Sequence, residues 1–214
     1  EAIAGSAARL RDAHDALSSV FEARWADLVR PHHSLWLSWN AARYREEPRE
    51  IRCRIVERAS RLVGGAERPR RSVIEGMDHA LFAGEPTTGA RCLARLMGTD
   101  IAMFREARAI TPISLAPGEA GIFDARFACR AIADVPITIA PADSLGLDRP
   151  PCLPAEAMRT APAVLSGGQA EGCLMVGEPW GPAASTIAEM APLHEWPTGG
   201  LSEGRWPTQE SRAR

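Results

Sequence analysis

Residues 48–86 have the sequence PREIRCRIVERASRLVGGAERPRRSVIEGMDHALFAGEP, and this stretch decides the fold. Pro48 suits the first turn of a helix, where the missing backbone donor would have no partner in any case. Apolar residues then recur every three or four positions, which predicts one buried helix face. Gly64 and Gly65 predict the end of that helix, because glycine readily adopts the left-handed conformation of a helix stop. The predicted buried face consists of Ile51, Ile55, Ala59 and Leu62.

A further helix is predicted in the same stretch. Ser72 is a good N-cap residue, and Glu75 three positions later completes a capping box. The helix is expected to end near residues 84–86, which are Gly-Glu-Pro. Its predicted apolar face consists of Ile74, Met77 and Leu81.

Towards the amino terminus, residues 2–29 predict one long helix, because no proline interrupts them. Residues 35–39, LWLSW, then predict either a short strand or a buried turn. The helical pattern begins directly at Glu1, so we expect that the chain is a fragment that lacks an amino-terminal part. The apolar face of the first helix consists of Ile3, Ala7, Leu10, Leu17, Phe21 and Leu28.

After residue 86 the pattern changes from helices to strands. Residues 90–104 predict a hairpin that turns at Gly98-Thr99-Asp100. Further strands are predicted at residues 121–132, 137–139 and 173–176, with a short helix at 155–159 and an irregular tail at 181–214. The expected class is therefore α+β: an amino-terminal helical sub-domain of about three helices, joined near residue 86 to a small, mostly antiparallel β sub-domain.

The charge composition is unusual. The 214 residues carry a net charge of -2, and all 25 basic residues are arginine. The absence of lysine excludes Schiff-base chemistry and a Walker-type phosphate loop in this chain. A GC-rich genome and a need for guanidinium groups that match phosphate both explain the bias. Because residues 1–71 hold 14 arginines against 10 acidic residues, this third is the part expected to face a polyanion.

The other sequence motifs indicate no catalytic or metal-binding site. The five cysteines are widely spaced, and the five histidines form no pair at metal-binding spacing, so we expect buried free thiols and no metal site. The segment Ser166-Gly167-Gly168-Gln169 is predicted to be a helix-ending turn rather than a phosphate loop. No apolar run is long enough to span a bilayer, so a cytoplasmic protein without a membrane contact is expected.

The candidate binding residues are arginines. Glu50 and Glu57 lie four residues before Arg54 and Arg61, and such intrahelical pairs would account for those two cations. Residues 68–71, Arg-Pro-Arg-Arg, have no acidic neighbour in the sequence except Glu67, and they precede a helix start, which suits phosphate contact. Arg126 is expected to be structural. The predicted RNA-facing set is Arg52, Arg54, Arg70 and Arg71.

Several segments occur in a familiar order: AARLRDA at 7–13, DAL at 15–17, PREIRCR at 48–54, PRR at 69–71, REAR at 105–108, FDARF at 123–127, LP at 153–154 and APA at 161–163. Over roughly residues 1–180 this order resembles the carboxyl-terminal portion of bacterial tRNA(Ile)-lysidine synthases. Phe123 stands where the family has tryptophan, and Ala125 where it has glycine. The Ser-Gly-Gly-x-Asp-Ser motif of the family's ATP domain does not occur in this chain.

The resemblance implies a ligase that uses ATP with magnesium to adenylate cytidine 34 of tRNA(Ile), after which L-lysine displaces AMP. It implies a linker helix from a missing catalytic domain at 1–30, a helical tRNA-contacting domain at 31–86 and a small α+β domain at 87–180. This chain alone is then expected to position tRNA(Ile), to be inactive and to bind no cofactor, with a homodimer left open. The alternatives are a stand-alone, non-enzymatic RNA- or protein-binding module and a nonfunctional fragment.

Overall fold

The computed structural model describes residues 2–65, 68–150, 153–175 and 184–193. The described helices are α1 (Ala2–Leu28), α2 (Ala41–Glu46), α3 (Arg49–Gly64), α4 (Arg71–Ala83), α5 (Ala155–Met158) and α6 (Ala184–Ile187), with a 3-10 helix at Ala142–Leu145. The described strands are β1 (Val29–His32), β2 (Trp36–Asn40), β3 (Thr87–Gly89), β4 (Cys92–Met97), β5 (Asp100–Arg105), β6 (Ile113–Leu115), β7 (Ala120–Phe123), β8 (Phe127–Ala131), β9 (Ile137–Pro141), β10 (Pro162–Ser166), β11 (Gln169–Cys173) and β12 (Ala188–Pro192).

The strands form three antiparallel sheets, and the predicted α+β class is confirmed. The first sheet has the order β1-β2-β5-β4-β3, the second β11-β10-β9-β6 and the third β12-β8-β7. Among the helices of the described ranges, none has both the length and the apolar composition that a membrane span requires.

Local sequence signals set the ends of α3 and α4. Pro48 precedes α3, and Gly65 ends it in the left-handed conformation with φ 64°. Gly84, with φ 84°, ends α4 in the same way. The predicted capping box is wrong, because α4 begins one residue earlier and Ser72 lies inside its first turn. Arg70 holds the N-cap position instead, and its side chain makes no capping hydrogen bond.

One face of the first sheet packs against the helices. The ambiguous LWLSW segment forms most of β2, which pairs with β5 in the register Trp39↔Ile101. Trp39, Ile101 and Met103 belong to one core cluster with Phe21 and Trp25 of α1 and the buried faces of α3 and α4. The predicted helical region 31–86 therefore also contains β2 and the end of β1; β1 pairs with β2, and β2 pairs with β5, which lies beyond residue 86. The boundary predicted near residue 86 does not separate two sub-domains, because the first sheet contains strands from both sides of it.

A second core lies on the other face of the first sheet. Ala102 and Phe104 of β5 contribute to it, together with residues of the second and third sheets. The predicted strand at 121–132 proves to be a hairpin, β7 and β8, in which Asp124 and Ala125 take positive φ at the turn. The predicted helix-ending turn at 166–169 is also wrong, because these residues join β10 to β11. The hydrogen-bonded hairpin satisfies the backbone there without a helix.

The predictions for the carboxyl-terminal part need further correction. Of the strand expected at 173–176, only Cys173 lies in a strand, as the last residue of β11; Leu174 and Met175 follow the end of β11, and Val176 lies outside the described residues. The tail expected to be irregular contains α6 and β12, and β12 pairs with β8 in the register Met190↔Cys129. Residues 181–183 and 194–214 of that predicted tail lie outside the described ranges.

A buried ion cluster joins the first and third sheets. The Asp124 carboxylate accepts hydrogen bonds from Arg105 at 2.7 and 2.9 Å, from Arg126 at 2.8 Å and from Arg91 at 2.6 Å. The side chains of Arg105, Arg126 and Asp124 are each only 1% exposed. Arg126 also donates to the Thr160 carbonyl oxygen at 2.7 Å, so its expected structural role fits the geometry.

Candidate nucleic-acid interface

A groove of about 560 Å³ opens between the polar side of α1 and the surface of α3 and α4. Five of its lining residues are cationic and three are acidic, so its formal charge is +2 when histidine is neutral. The lining residues are His14, Phe21, Glu22, Glu50, Arg54, Glu57, Arg58, Arg61, Arg68 and Arg71. A cationic groove of this size suits a polyanion.

Contacts between α1 and α3 hold this groove together. Arg58 donates to Glu22 at 2.6 Å, and its guanidinium lies 4.8 Å from the ring centre of Trp25. Trp25 itself is buried, so the carboxyl-terminal half of α1 is anchored in the first core. Earlier on the helix, Leu10 of the predicted apolar face is 72% exposed. The described part of the chain therefore leaves residues 6–16 of α1 exposed.

Arg52, the first of the predicted RNA-facing residues, lies outside the groove. Its guanidinium donates to the two carboxylate oxygens of Asp78 at 2.8 and 3.1 Å, and to the Glu47 carbonyl oxygen at 2.9 Å. Tyr44 donates its hydroxyl hydrogen bond to the same carboxylate at 2.6 Å. Hydrogen bonding to Asp78 raises the pKa of Arg52. Because the Arg52 side chain is only 12% exposed, its donors serve the packing of α3 on α4.

Arg54 and Arg71 line the groove, but both are engaged by carboxylates. Arg54 pairs with Glu50 at 3.1 Å, as the four-residue spacing predicts. Arg71 donates to Glu50 at 2.8 Å and to Glu75 at 2.9 Å. The inference that Glu67 is the only acidic neighbour of Arg71 is therefore wrong, because α3 brings Glu50 close and Glu75 lies one turn along α4. These hydrogen bonds, from Arg71 first, lower the pKa of Glu50.

Three exposed cations lie in or beside the groove: Arg61 and Arg68 line it, and Arg70 directly precedes the lining residue Arg71. Glu57 pairs with Arg68 at 4.0 Å and not with Arg61, contrary to the predicted intrahelical pair. Arg61 and Arg70 are exposed, and the side chain of each makes no hydrogen bond or ion pair within the described ranges. The Arg68 side chain is 87% exposed. Sequence reasoning selected only Arg70 of these three, because it assigned Arg61 a local partner.

The described residues hold little that suggests catalysis or a metal. They contain no group of three or more histidine, cysteine or acidic residues that could hold a metal ion. The thiols of Cys53, Cys92, Cys129 and Cys173 are free and buried, while Cys152 lies outside the described ranges. Burial raises the pKa of the Cys92 thiol to about 12, which keeps it protonated and unreactive at neutral pH.

Comparison with family models, curated proteins and solved structures finds no match to this chain.

Proposed function

We propose that this chain binds RNA along the groove between α1 and α3 and positions tRNA(Ile) for a ligase of the tRNA(Ile)-lysidine synthase type. The observation that carries the proposal is the exposure of the guanidinium groups of Arg61 and Arg68, which line the groove, and of Arg70, which directly precedes the lining residue Arg71. Guanidinium groups bind phosphate oxygens with two parallel hydrogen bonds, so a group of them suits a nucleic-acid backbone.

The acidic residues of the groove do not cancel the charge of these exposed arginines. Glu22 is paired with Arg58, and Glu50 is shared between Arg54 and Arg71. Only Glu57 reaches towards the exposed group, and its distance to Arg68 is 4.0 Å. A phosphate entering here would therefore replace few existing ion pairs.

The start of α4 adds a further source of positive potential. Its first turn contains no acidic residue, and its N-cap side chain makes no hydrogen bond. The free backbone N–H groups of a helix start attract anions. Arg70 holds the N-cap position itself, so one phosphate can contact both the guanidinium and the helix start.

In this scheme the chain supplies tRNA positioning, while ATP with magnesium and L-lysine bind to a separate catalytic domain. The absence of lysine and of the Ser-Gly-Gly-x-Asp-Ser motif from the sequence agrees with that division of labour. The exposed Leu10 also supports it, because a linker helix would be covered by its neighbouring domain. A stand-alone RNA-binding module would use the same groove without any ligase partner.

The proposal is tested by filter binding of the chain to tRNA(Ile) over a series of salt concentrations. The variant Arg61→Ala/Arg68→Ala should bind more weakly and reduce the slope of log K against log salt by about two, since each arginine removed takes away one phosphate neutralisation. A matched control is Arg108→Ala/Arg159→Ala, which removes two exposed arginines outside the groove. Its slope should equal that of the wild type.

Two results would reject RNA binding by the groove. One is the absence of tRNA binding at low salt, or binding that does not depend on salt. The other is an equal reduction of slope in the groove variant and the control variant. Lysidine formation on adding a family ATP domain would separate the ligase proposal from the stand-alone module, since only the former predicts product.

A further inference from the structure

We propose that the edge of the first sheet carries a second site, for one unpaired nucleotide, whose base stacks on His32 and whose phosphate contacts Arg30. The site lies on the face of the sheet away from the α1–α3 groove. It deepens the proposed function, and the choice of RNA as the source of the nucleotide rests on that function. A free mononucleotide has the same chemistry, and the test below separates the two sources.

A stack of three aromatic rings leads from the second core to the sheet edge. The His32 ring lies 3.7 Å from the Trp36 ring with an interplanar angle of 9°. Trp36 in turn stacks on the buried Phe104 at 5.2 Å. The three residues form one row across β1, β2 and β5, through the pairs His32↔Trp36 and Trp36↔Phe104. The row therefore ends at His32.

The outer end of this stack is open in the described part of the chain. β1 is an edge strand of its sheet, so no strand lies beyond His32. His32 is half-buried, and Trp36 is the ring shown against it. Because every nucleobase has an apolar face, a base can extend such a stack whatever its sequence.

The imidazole is held in place before any ligand arrives. Its Nε2 atom lies 2.8 Å from the Ser38 hydroxyl oxygen, within hydrogen-bond distance. Burial, with His33 and Arg30 adding to it, lowers the pKa of His32, so the ring is neutral at pH 7. A fixed, neutral ring loses little conformational entropy when a base stacks on it.

Arg30 supplies the charge that a nucleotide requires. It lies two residues before His32 on the same strand, so both side chains emerge on the same face about 7 Å apart along the strand. Arg30 is exposed, and its side chain makes no hydrogen bond or ion pair within the described residues. A free guanidinium beside an open ring matches the phosphate and base of one nucleotide.

The test is calorimetric titration of the full chain with hexa-adenylate and, separately, with AMP. The Arg61→Ala/Arg68→Ala background removes the contribution of the groove. In that background His32→Ala should weaken hexa-adenylate binding at least about fivefold, whereas His32→Phe, which keeps a stacking ring, should stay within about twofold. Arg30→Ala should lower the salt slope by about one. His79→Ala replaces an exposed histidine on α4 and should change nothing.

The outcomes separate this site from the groove. Weaker tRNA binding by Arg61→Ala/Arg68→Ala with hexa-adenylate binding retained supports two sites. Retained hexa-adenylate binding supports the His32 site even if the groove proposal fails. Much weaker binding of AMP supports an RNA strand as the ligand, and equal binding supports a free nucleotide. Three results would overturn the site. They are no hexa-adenylate binding, an unchanged affinity for hexa-adenylate when His32→Ala or Arg30→Ala is added to the background, and an equal loss of affinity in His32→Phe and His32→Ala. Should melting show that His32→Ala unfolds, His32→Phe and Arg30→Ala decide.

Discussion

Replacing Asp124 by asparagine should remove the link between the first and third sheets. The asparagine would keep the size of the side chain and would tolerate the left-handed backbone found there, with φ 51°. The substitution therefore tests the charge and not the conformation. Alanine would add backbone strain at the same position and would confuse the two effects.

The magnitude follows from the partners of the carboxylate. Asp124 accepts four hydrogen bonds, from Arg91, Arg105 and Arg126, and an amide can accept at only one of its two terminal atoms. Arg126 already has a buried Nη1 atom without a partner in the described part of the chain. Removing one member of a buried ion pair costs about 3–5 kcal/mol, because the opposite charge is left without compensation.

Urea unfolding followed by far-UV circular dichroism measures this destabilisation. A cost of about 3–5 kcal/mol should also lower Tm by roughly 6–20 °C for a chain of this size. The matched control is Arg91→Ala, which removes the partner that is 39% exposed and should cost no more than about 1 kcal/mol. The reasoning is refuted if Asp124→Asn unfolds within about 1 kcal/mol of the wild type, or if Arg91→Ala is equally destabilising.

Three other perturbations have defined outcomes. Arg52→Ala should lower the free energy of unfolding by about 3–5 kcal/mol, because it leaves the buried Asp78 carboxylate without its cationic partner. Weaker tRNA binding at unchanged Tm would contradict the structural role. Arg70→Ala should reduce the salt slope of tRNA binding by about one, and Arg71→Ala by less because two carboxylates engage its donors; the reverse order, by filter binding, would show that the ion pairs open. Burial raises the pKa of Cys92 and Cys129 to about 12, so both stay protonated in the folded chain while the unfolded thiols ionise near pH 9. The free energy of unfolding should therefore be unaffected by these thiols below pH 9 and should fall above it, by about 3 kcal/mol for the pair at pH 10. Equal midpoints of urea unfolding at pH 8 and pH 10 would contradict this expectation.

The sequence predicts the fold well where the signals are local. α3 and α4 are long, periodic and bounded by Pro48, Gly65 and Gly84, and the structure places them within one residue of the prediction. β10 and β12 were missed, because a five-residue strand shows little periodicity and its stability comes from a partner elsewhere in the chain. β12, for example, pairs with β8 across more than fifty residues.

The same distinction holds for the candidate site. The pair Glu50–Arg54 is visible in the sequence because its members are four residues apart on one helix. The pairing of Arg52 with Asp78, 26 residues later, depends on how α4 packs against α3. Helix periodicity gives the face on which an arginine lies, but not the carboxylate that a neighbouring helix brings to it.

An arginine-rich composition is therefore a poor guide to RNA contact unless the arginines are sorted by their partners. Arg105 and Arg126 are as buried as the apolar core, and their planar guanidinium groups reach one carboxylate from two directions, which a lysine ammonium group could not do with the same hydrogen bonds. These cations stabilise the fold and cannot reach a ligand. Only an arginine with free donors and an exposed head group can bind phosphate without first breaking an ion pair. That criterion selects the arginines that we propose to contact RNA, namely Arg61, Arg70 and Arg30 with the loosely held Arg68, and not the whole basic third of the chain.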